Sequence, residues 1–353
     1  MSTDARTMDA RTIMPDAYWR DVVLEREYER IFAHGLYVGP AQLLAQDGDY
    51  HSYQVCGRPF VTRRAEGELR SFENVCLHRA KLIDPPGRGN RPFRCGYHAW
   101  QYDAAGALER APLAQDACIG RRRLQRCATV ERHGLAFMAT QGTLDADTGA
   151  QALDAAGFEL GEFFHEETLE HAANWKLVVE NVLESYHLSF VHQDSFVPTG
   201  ISSASDTRES RFGRDSCLHI ANKKDGGAAK GRLIPGSNSD YVHAYVFPNL
   251  FVSITGGLVG FVSHFMPQEA GRTLLEWRLF ETPLLLAQKN AVRSYIRQNA
   301  IDFTRKVLGE DLVVLNQSQI GIRHARGPHQ LQPVEGRLAH FHETYMRMME
   351  DGE

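Results

Sequence analysis

Apolar positions recur in two rhythms along this chain. Between Pro15 and His34 they fall at roughly helical spacing, at Tyr18, Val22, Val23, Tyr28 and Ile31. Pro15 suits a first helical turn and Gly35 the residue just past the end, so a helix is predicted over 15–34. From Leu36 to about Gln141 the rhythm changes. Short apolar runs are divided by turn signals, at Gln46-Asp47-Gly48-Asp49, Glu66-Gly67, Pro85-Pro86-Gly87 and Ala105-Gly106. Runs such as 50–55, 60–63 and 135–139 read as strands, and their density predicts a small β-sandwich or barrel.

Residues 142–173 are acidic and Ala-rich, with Asp145, Asp147, Asp154, Glu159, Glu162, Glu166 and Glu167. They read as a connection with some helix, with a domain boundary near residue 150. Helical periodicity returns over 174–192, where Trp175, Val178, Val182, Leu183 and Tyr186 share a face. Residues 222–239, with Lys223, Lys224, Gly226, Gly227, Gly231 and Gly236, read as a mobile loop. Strands are predicted at 241–247, 251–255, 258–266 and 273–281 as a meander, then mostly helix over 284–322. There is no internal repeat.

Composition narrows the picture by exclusion. A length of 353 residues suits two domains or one large one. The net charge of −5 makes no case for nucleic acid or an anionic membrane as partner. No apolar run approaches the roughly 20 residues of a membrane helix. The polar stretch 1–12 lacks the apolar core of a signal peptide and reads as a short disordered lead, which leaves the cytoplasm as the default location. Six cysteines in a chain this long do not look like a disulfide framework. Sixteen histidines raise the prior for metal.

Two constellations carry the chemistry. Cys76-Leu77-His78 is followed by Cys95-Gly96-Tyr97-His98. Two thiolates and two imidazoles make four ligands for a soft or borderline metal, structural zinc included. The second is Glu184, His187 and His192. Glu184 and His187, three apart, share a helix face. His187 and His192, five apart, are separated by about 140° on an ideal helix. Both reach one metal only if the helix distorts or ends between them. Cys56, Cys118, Cys127 and Cys217 read as ordinary residues.

The neighbours of these ligands decide between the readings. Cys76-Leu77-His78-Arg79 and Cys95-Gly96-Tyr97-His98-Ala99-Trp100-Gln101-Tyr102 resemble the cluster loops of Rieske domains, in which two Cys hold one iron and two His the other. Asn174-Trp175-Lys176 and Glu180-Asn181 ahead of Glu184, His187 and His192 resemble the iron motif of Rieske non-heme iron oxygenase α subunits. Two cluster-loop positions depart from the family pattern: Gly96 stands where Pro is usual, and Ala99 where Gly is usual. Neither supplies a ligand. The bridging position is Asp in most of the family. Glu184 is similar to the branch acting on carnitine, glycine betaine and related quaternary ammonium compounds.

The resemblance implies the following expectations. Cys76, His78, Cys95 and His98 hold one [2Fe–2S] cluster. His187, His192 and Asp311 hold one mononuclear Fe(II) as a two-His-one-carboxylate triad, with Glu310 the runner-up for the carboxylate. Glu184 bridges the two centres between neighbouring subunits of a homotrimer. The fold is α+β: a Rieske β-sandwich domain and a catalytic domain whose antiparallel sheet wraps a long helix. The parts are a lead and helix over 1–36, a Rieske domain over 37–150 and a catalytic domain over 151–353. A separate flavin and iron–sulfur reductase brings electrons from NAD(P)H. The expected reaction is hydroxylation or N-demethylation of a small amine or quaternary ammonium compound. A cage for such a cation would draw on Tyr186, Tyr241, Tyr245, Phe247, Phe251, Phe261, Phe265 and Trp277. The alternatives are an aromatic-ring dioxygenase or O-demethylase, and, more remotely, an electron-transfer protein.

Overall fold

The computed structural model describes residues 12–114, 119–144, 148–222, 234, 236, 237 and 240–350. Most of the stretch read as a mobile loop, Cys118, and the polar lead up to Arg11 lie outside the described residues. The chain divides into two compact units. One comprises Glu25–Ala150 with Met266–Gln268. The other comprises the described part of Met1–Leu24 with Gln151–Phe265 and Glu269–Glu353.

The predicted N-terminal helix is broken into three pieces. A 3-10 turn at Pro15–Tyr18 is followed by α1 (Asp21–Arg30) and a second 3-10 turn at Phe32–His34. The periodic residues do not form one face. Tyr18 is fully buried while Val22 is 55% exposed, and Trp19 leaves helical geometry at φ −147° and ψ −2°.

The first unit is a sheet built from β1 (Leu36–Pro40), β2 (Asp49–Val55), β3 (Arg58–Ala65), β4 (Glu68–Glu73), β5 (Gly87–Asn90), β8 (Arg126–Arg132) and β9 (Leu135–Ala139). Their order is β1-β9-β8-β4-β3-β2-β5. The short pair β6 (Gln101–Tyr102) and β7 (Leu108–Arg110) stands apart as a two-stranded ribbon. Of the expected turns, Glu66-Gly67 lies between β3 and β4 and Ala105-Gly106 precedes β7, while the turns at 46–49 and 85–87 run into strands, Asp49 opening β2 and Gly87 opening β5.

In the second unit α2 (Ala150–Ala155) leads to β10 (Glu162–His171), α3 (Trp175–Leu183), α4 (Leu188–Val191) and α5 (Phe196–Thr199). Then come β11 (Asp206–Phe212), β12 (Asp215–Ala221), β13 (Tyr241–Val246), β14 (Leu250–Thr255), β15 (Val259–Glu269) and β16 (Arg272–Glu281). The chain closes with α6 (Pro283–Leu286), α7 (Asn290–Ile322) and α8 (Gly336–Glu350). The sheet runs β10-β16-β15-β14-β13-β12-β11, each pair β11 to β15 in meander order. The 33-residue α7 packs against α3 and the strands β10 and β16. It buries a single line of residues, Asp311, Leu315, Gln319 and Ile322.

One correction is instructive. The acidic segment read as a connection contains β10, a ten-residue strand. Its carboxylates interrupt the apolar pattern of a strand, yet they pair with arginines of neighbouring elements. Glu166 meets Arg278 at 3.2 Å, Glu170 meets Arg272 at 3.4 Å, and Glu167 pairs with Arg305. Gly161 lets the strand start: a Cβ there would lie 1.5 Å from the Glu281 carbonyl oxygen. Strands β11 and β12 and helix α8 had no counterpart in the sequence reading.

Candidate metal centres

In the first unit, two loops of matching geometry present the Cys and His residues. Ala80 N–H donates to the Cys76 carbonyl at 3.0 Å, and Ala99 N–H to the Cys95 carbonyl at 3.1 Å. Ala80 and Ala99 both have left-handed φ, 54° and 56°. This explains why glycine suits the position after the fourth ligand, since Ala pays a steric cost there that Gly escapes. Gly96 has no such need; a Cβ on it would meet nothing nearer than the Lys81 amine at 3.8 Å.

Cys76 and Cys95 are buried, while His78 and His98 are exposed. The two imidazoles lie 4.5 Å apart between centroids, with Trp100 stacked on His78 at 4.7 Å. Tyr102, not foreseen from sequence, accepts from Leu77 N–H at 3.0 Å and sets its hydroxyl 3.2 Å from Cys76 Sγ. Asn74 is fully buried. Its Oδ1 accepts from Ile83 and Asp84 N–H, and its Nδ2 donates to Ser52 and the Asp84 carbonyl. Burial, with the neighbouring Cys76 sulfur, pushes the Cys95 thiol up. Two thiolates held side by side in such a place call for a cation between them.

In the second unit, helix α3 begins under an Asn174 cap, whose side chain accepts from Lys176 N–H at 3.0 Å. It ends at Leu183, because Glu184 turns to extended geometry, φ −120° and ψ 157°. The helix therefore stops ahead of Glu184, so neither histidine lies on it, and the one-turn α4 separates His187 from His192. Glu184 organises this break. Its Oε2 accepts from the backbone N–H of Tyr186 and of His187, and its Oε1 meets His187 Nδ1.

The break brings three ligand atoms together. His192 Nε2 lies 3.1 Å from Asp311 Oδ1, and His187 Nε2 lies 3.9 Å from the same oxygen. Cis ligands on a metal with bonds of about 2.1 Å sit about 3 Å apart, so the spacing fits one ion. Proton placement points the same way. His192 Nδ1 faces Glu310 at 2.6 Å while its Nε2 faces Asp311. His187 has Glu184 on Nδ1 in the same manner. With each Nδ1–H given to a carboxylate, each Nε2 presents a lone pair towards Asp311. Burial opposes a charge on His192, but Asp311 and Glu310 raise its pKa, so the site favours positive charge between its carboxylates, which a metal ion would supply. Glu310, weighed as the runner-up ligand, instead orients His192 and also accepts from Ser195 Oγ at 2.6 Å. Asn181 Nδ2 donates to Asp311 at 3.2 Å.

A second group has the same composition: Glu180, His329 and His342. Sequence reasoning did not find it, because its members are scattered along the chain. Its protons are arranged differently. Ile13 N–H donates to His342 Nδ1 at 3.2 Å, so the neutral ring carries its proton on Nε2 and gives it to Glu180 Oε1 at 3.0 Å. Tyr18 O–H donates to the same oxygen at 2.5 Å, and His329 Nδ1 lies 3.4 Å from Oε2. Burial opposes the charge on Glu180, yet His329 and His342 hold its carboxyl down at about 2. This group is a hydrogen-bonded clamp joining the segment around Tyr18, helix α3, helix α8 and the α7–α8 connection.

A cavity of about 900 Å³, its open mouth included, lies above His187, His192 and Asp311. Of the predicted cage residues, Tyr241, Phe251, Phe261 and Phe265 line it. The others are elsewhere. Tyr186 is 49% exposed beside Phe190, Tyr245 and Phe247 pack on Phe341, and Trp277 packs on His165 and Phe261. His171 and His243, unforeseen from sequence, also line the cavity. Burial lowers His171 to about 4, and neither ring nitrogen has a hydrogen-bond partner among the described residues.

Comparison with known proteins identifies the family of each unit. Residues 35–129 match the Rieske [2Fe-2S] domain. Residues 158–351 match the ring hydroxylating alpha subunit catalytic domain. A putrescine 2-hydroxylase from Ralstonia nicotianae is 28% identical, covering 99% of each chain. A chloroplastic choline monooxygenase from Beta vulgaris is 25% identical, covering 95% of this chain and 76% of the other. A crystal structure of a quaternary ammonium Rieske monooxygenase superposes with a TM-score of 0.81 over 97% of each chain, at 20% identity.

Proposed function

The chain belongs to the ring-hydroxylating α subunits, the Rieske non-heme iron oxygenases, and we propose that it acts on a small amine or quaternary ammonium compound. Membership brings a [2Fe–2S] cluster, a mononuclear iron and electrons from a separate reductase. It also removes the electron-transfer alternative. No helix among the described residues is long and apolar enough to cross a membrane.

In our reading Cys76, His78, Cys95 and His98 hold the cluster, and His187, His192 and Asp311 hold the iron. The observation that carries this is the convergence of His187 Nε2, His192 Nε2 and Asp311 Oδ1, each imidazole backed by a carboxylate. An iron held there would supply O₂ activation, with its electrons arriving through the cluster. The chain's own part is placement. Glu184 and Glu310 fix the tautomers of the two histidines. Asn181 holds Asp311 by one oxygen. The aromatic wall of the cavity keeps water from the reacting carbon and suits an alkylated ammonium.

The reading extends to a homotrimer with transfer between subunits and a flavin and iron–sulfur reductase that draws on NAD(P)H. It also takes 1–36 as a lead packing on the catalytic domain, 37–150 as the Rieske domain and 151–353 as the catalytic domain. Tyr97 beside His98 and the Tyr186–Phe190 pair beside His187 are exposed aromatics at the rim of each centre. Covering them with a neighbouring subunit would bring the cluster of one chain to the iron of the next. Glu184 then accepts from an imidazole of each centre.

Substrate-dependent O₂ uptake by the iron-loaded protein with its reductase tests the reading. Uptake is expected with choline, glycine betaine or putrescine and should vanish in His187→Ala. Uptake with naphthalene alone would favour the aromatic alternative, which the apolar residues Phe251, Phe261 and Phe265 make the natural rival. Glu184→Ala should keep both centres and slow single-turnover oxidation of the cluster.

A further inference from the structure

Charge is unevenly spread along this chain. Residues 79–126 hold ten Arg and Lys against four Asp and Glu, while the whole chain holds 39 against 44. The acids of the segment do little to offset its cations. Asp84 is buried in an ion pair with Arg63, and Asp103 accepts from Ala105 and Ala107 N–H within its own turn. Asp116 lies outside the described residues. Glu109 is exposed and accepts from Gln101.

Five of the arginines gather at the β6–β7 ribbon. Gln101 pairs with Arg94 on one side and with Arg110 of β7 on the other. Directly opposite residues share a sheet face, so Arg94 and Arg110 stand on the same side. Leu108 N–H donates to the Arg122 carbonyl at 2.9 Å, and Ala107 bridges to Arg123, which lays Arg121, Arg122 and Arg123 beside β7. All five arginines are exposed, and none has a carboxylate partner among the described residues. Like charges repel, so folding gains nothing from gathering them. Leu113, three residues past Arg110, is also fully exposed, at a left-handed φ of 60°. Exposed arginines with an apolar residue among them suit a protein partner of opposite charge. The inner face of the same ribbon reaches the cluster ligands. Tyr102, next to Gln101 and so on the opposite face, is 3% exposed and sets its hydroxyl 3.2 Å from Cys76 Sγ. Trp100, just ahead of it, stacks on His78. His78 and His98 themselves are exposed on the rim proposed above to meet a neighbouring subunit, which leaves the ribbon as the approach for a donor.

We propose that this ribbon face, with Arg94, Arg110, Arg121, Arg122, Arg123 and Leu113, receives the separate reductase through an acidic surface around the reductase's own redox centre. This rests on the oxygenase function proposed above and adds where its electrons enter. Each encounter passes one electron. The donor centre is oxidised by one, the cluster is reduced by one, and NAD(P)H stands behind the donor as the source. The field of the arginines steers the acidic partner, and salt screens it.

An acidic plant-type [2Fe–2S] ferredoxin serves as the probe. Calorimetric titration of the oxidised ferredoxin into the cluster-loaded full chain should show binding that weakens as salt rises. Stopped-flow reduction of the cluster by reduced ferredoxin should slow in the same way. Arg110→Glu combined with Arg122→Glu should lower both affinity and second-order rate about tenfold or more at low salt, with a smaller difference at high salt. Arg79→Glu, at the histidine rim, should change them about twofold or less. Reduction by photoreduced 5-deazariboflavin, a small neutral donor, should be equal in all variants, which separates docking from damage to the cluster. No ferredoxin binding, or binding and reduction independent of salt and equal in wild type and variants, would overturn the proposal. So would a larger effect of Arg79→Glu. A change of oligomeric state in the double variant, seen by analytical ultracentrifugation, would give the face to a second copy. Lost binding of labelled oligo(dT) with unchanged ferredoxin kinetics would give it to nucleic acid. Either result overturns the docking and leaves the oxygenase function standing. A chain with no centre that deazariboflavin reduces would sink both.

Discussion

Two groups in the catalytic unit have the same inventory, two histidines and one carboxylate, and different chemistry. At His187, His192 and Asp311 both rings are backed on Nδ1 by carboxylates, Glu184 and Glu310, so their Nε2 lone pairs face Asp311. At Glu180, His329 and His342 the donors come from the protein: Ile13 N–H, Tyr18 O–H and the His342 Nε2–H. The first group presents acceptors that suit a cation, while the second is already satisfied by donors of the protein. Residue type and spacing do not separate the two, but the partner of the far ring nitrogen does.

The largest way to break this comparison is to empty the clamp. Glu180→Ala leaves His329, His342 and Tyr18 facing a hole, and should cost about 3–5 kcal/mol of stability. Urea unfolding would measure it. The folded fraction should keep its mononuclear iron, and iron lost without destabilisation would make the clamp a metal site.

Next comes pH. Against burial, His329 and His342 hold the folded Glu180 carboxyl at about 2, below its ordinary 4.5. Its contribution is thus present above about 4.5 and lost as pH falls towards about 2. Burial likewise opposes the charge on His329, but Glu180 raises its pKa above 6.5. That contribution is full below 6.5 and lost as pH rises through the raised value. Melting temperature against pH should therefore fall on the acid side, and Glu180→Gln should flatten that limb.

A smaller effect separates ligand from support. Glu310→Gln keeps a polar partner on His192 Nδ1 but removes the charge, and should weaken iron binding about 10- to 100-fold. Competition with a chelator would show it, with unfolding in urea nearly unchanged. Ala99→Gly, far from both groups in sequence, relieves the left-handed φ of 56°. It should stabilise the protein by up to about 1 kcal/mol and leave the iron untouched. Loss of stability there would mean that the Ala99 methyl is needed for packing.

What could be read from the sequence follows from how local each feature is. The cluster residues lie in two short loops whose spacing survives as sequence. The five-residue gap between His187 and His192 called for a helix that distorts or ends between them; α3 instead ends at Leu183, ahead of both, and a separate one-turn helix spans the gap. Strand β10 was hidden because its glutamates interrupt the apolar pattern, although Glu166, Glu167 and Glu170 pair with arginines on β16 and α7. The clamp was hidden for a different reason. Ile13, Tyr18, Glu180, His329 and His342 share no local pattern and meet only after folding. Glu310 was visible beside Asp311, but helix phase alone did not say which oxygen would face the histidines. The eight aromatic candidates were split by position along the elements and by packing: Tyr241 and Tyr245 share a face of β13, yet only Tyr241 lines the cavity while Tyr245 packs on Phe341.

The central claim is that one of two look-alike groups holds the mononuclear iron. Iron per chain, measured in parallel on purified wild type, His192→Ala and His342→Ala, tests it most directly. The account predicts that His192→Ala loses the mononuclear iron and keeps the cluster, while folded His342→Ala matches wild type. Full iron in His192→Ala, with loss in His342→Ala, would contradict it.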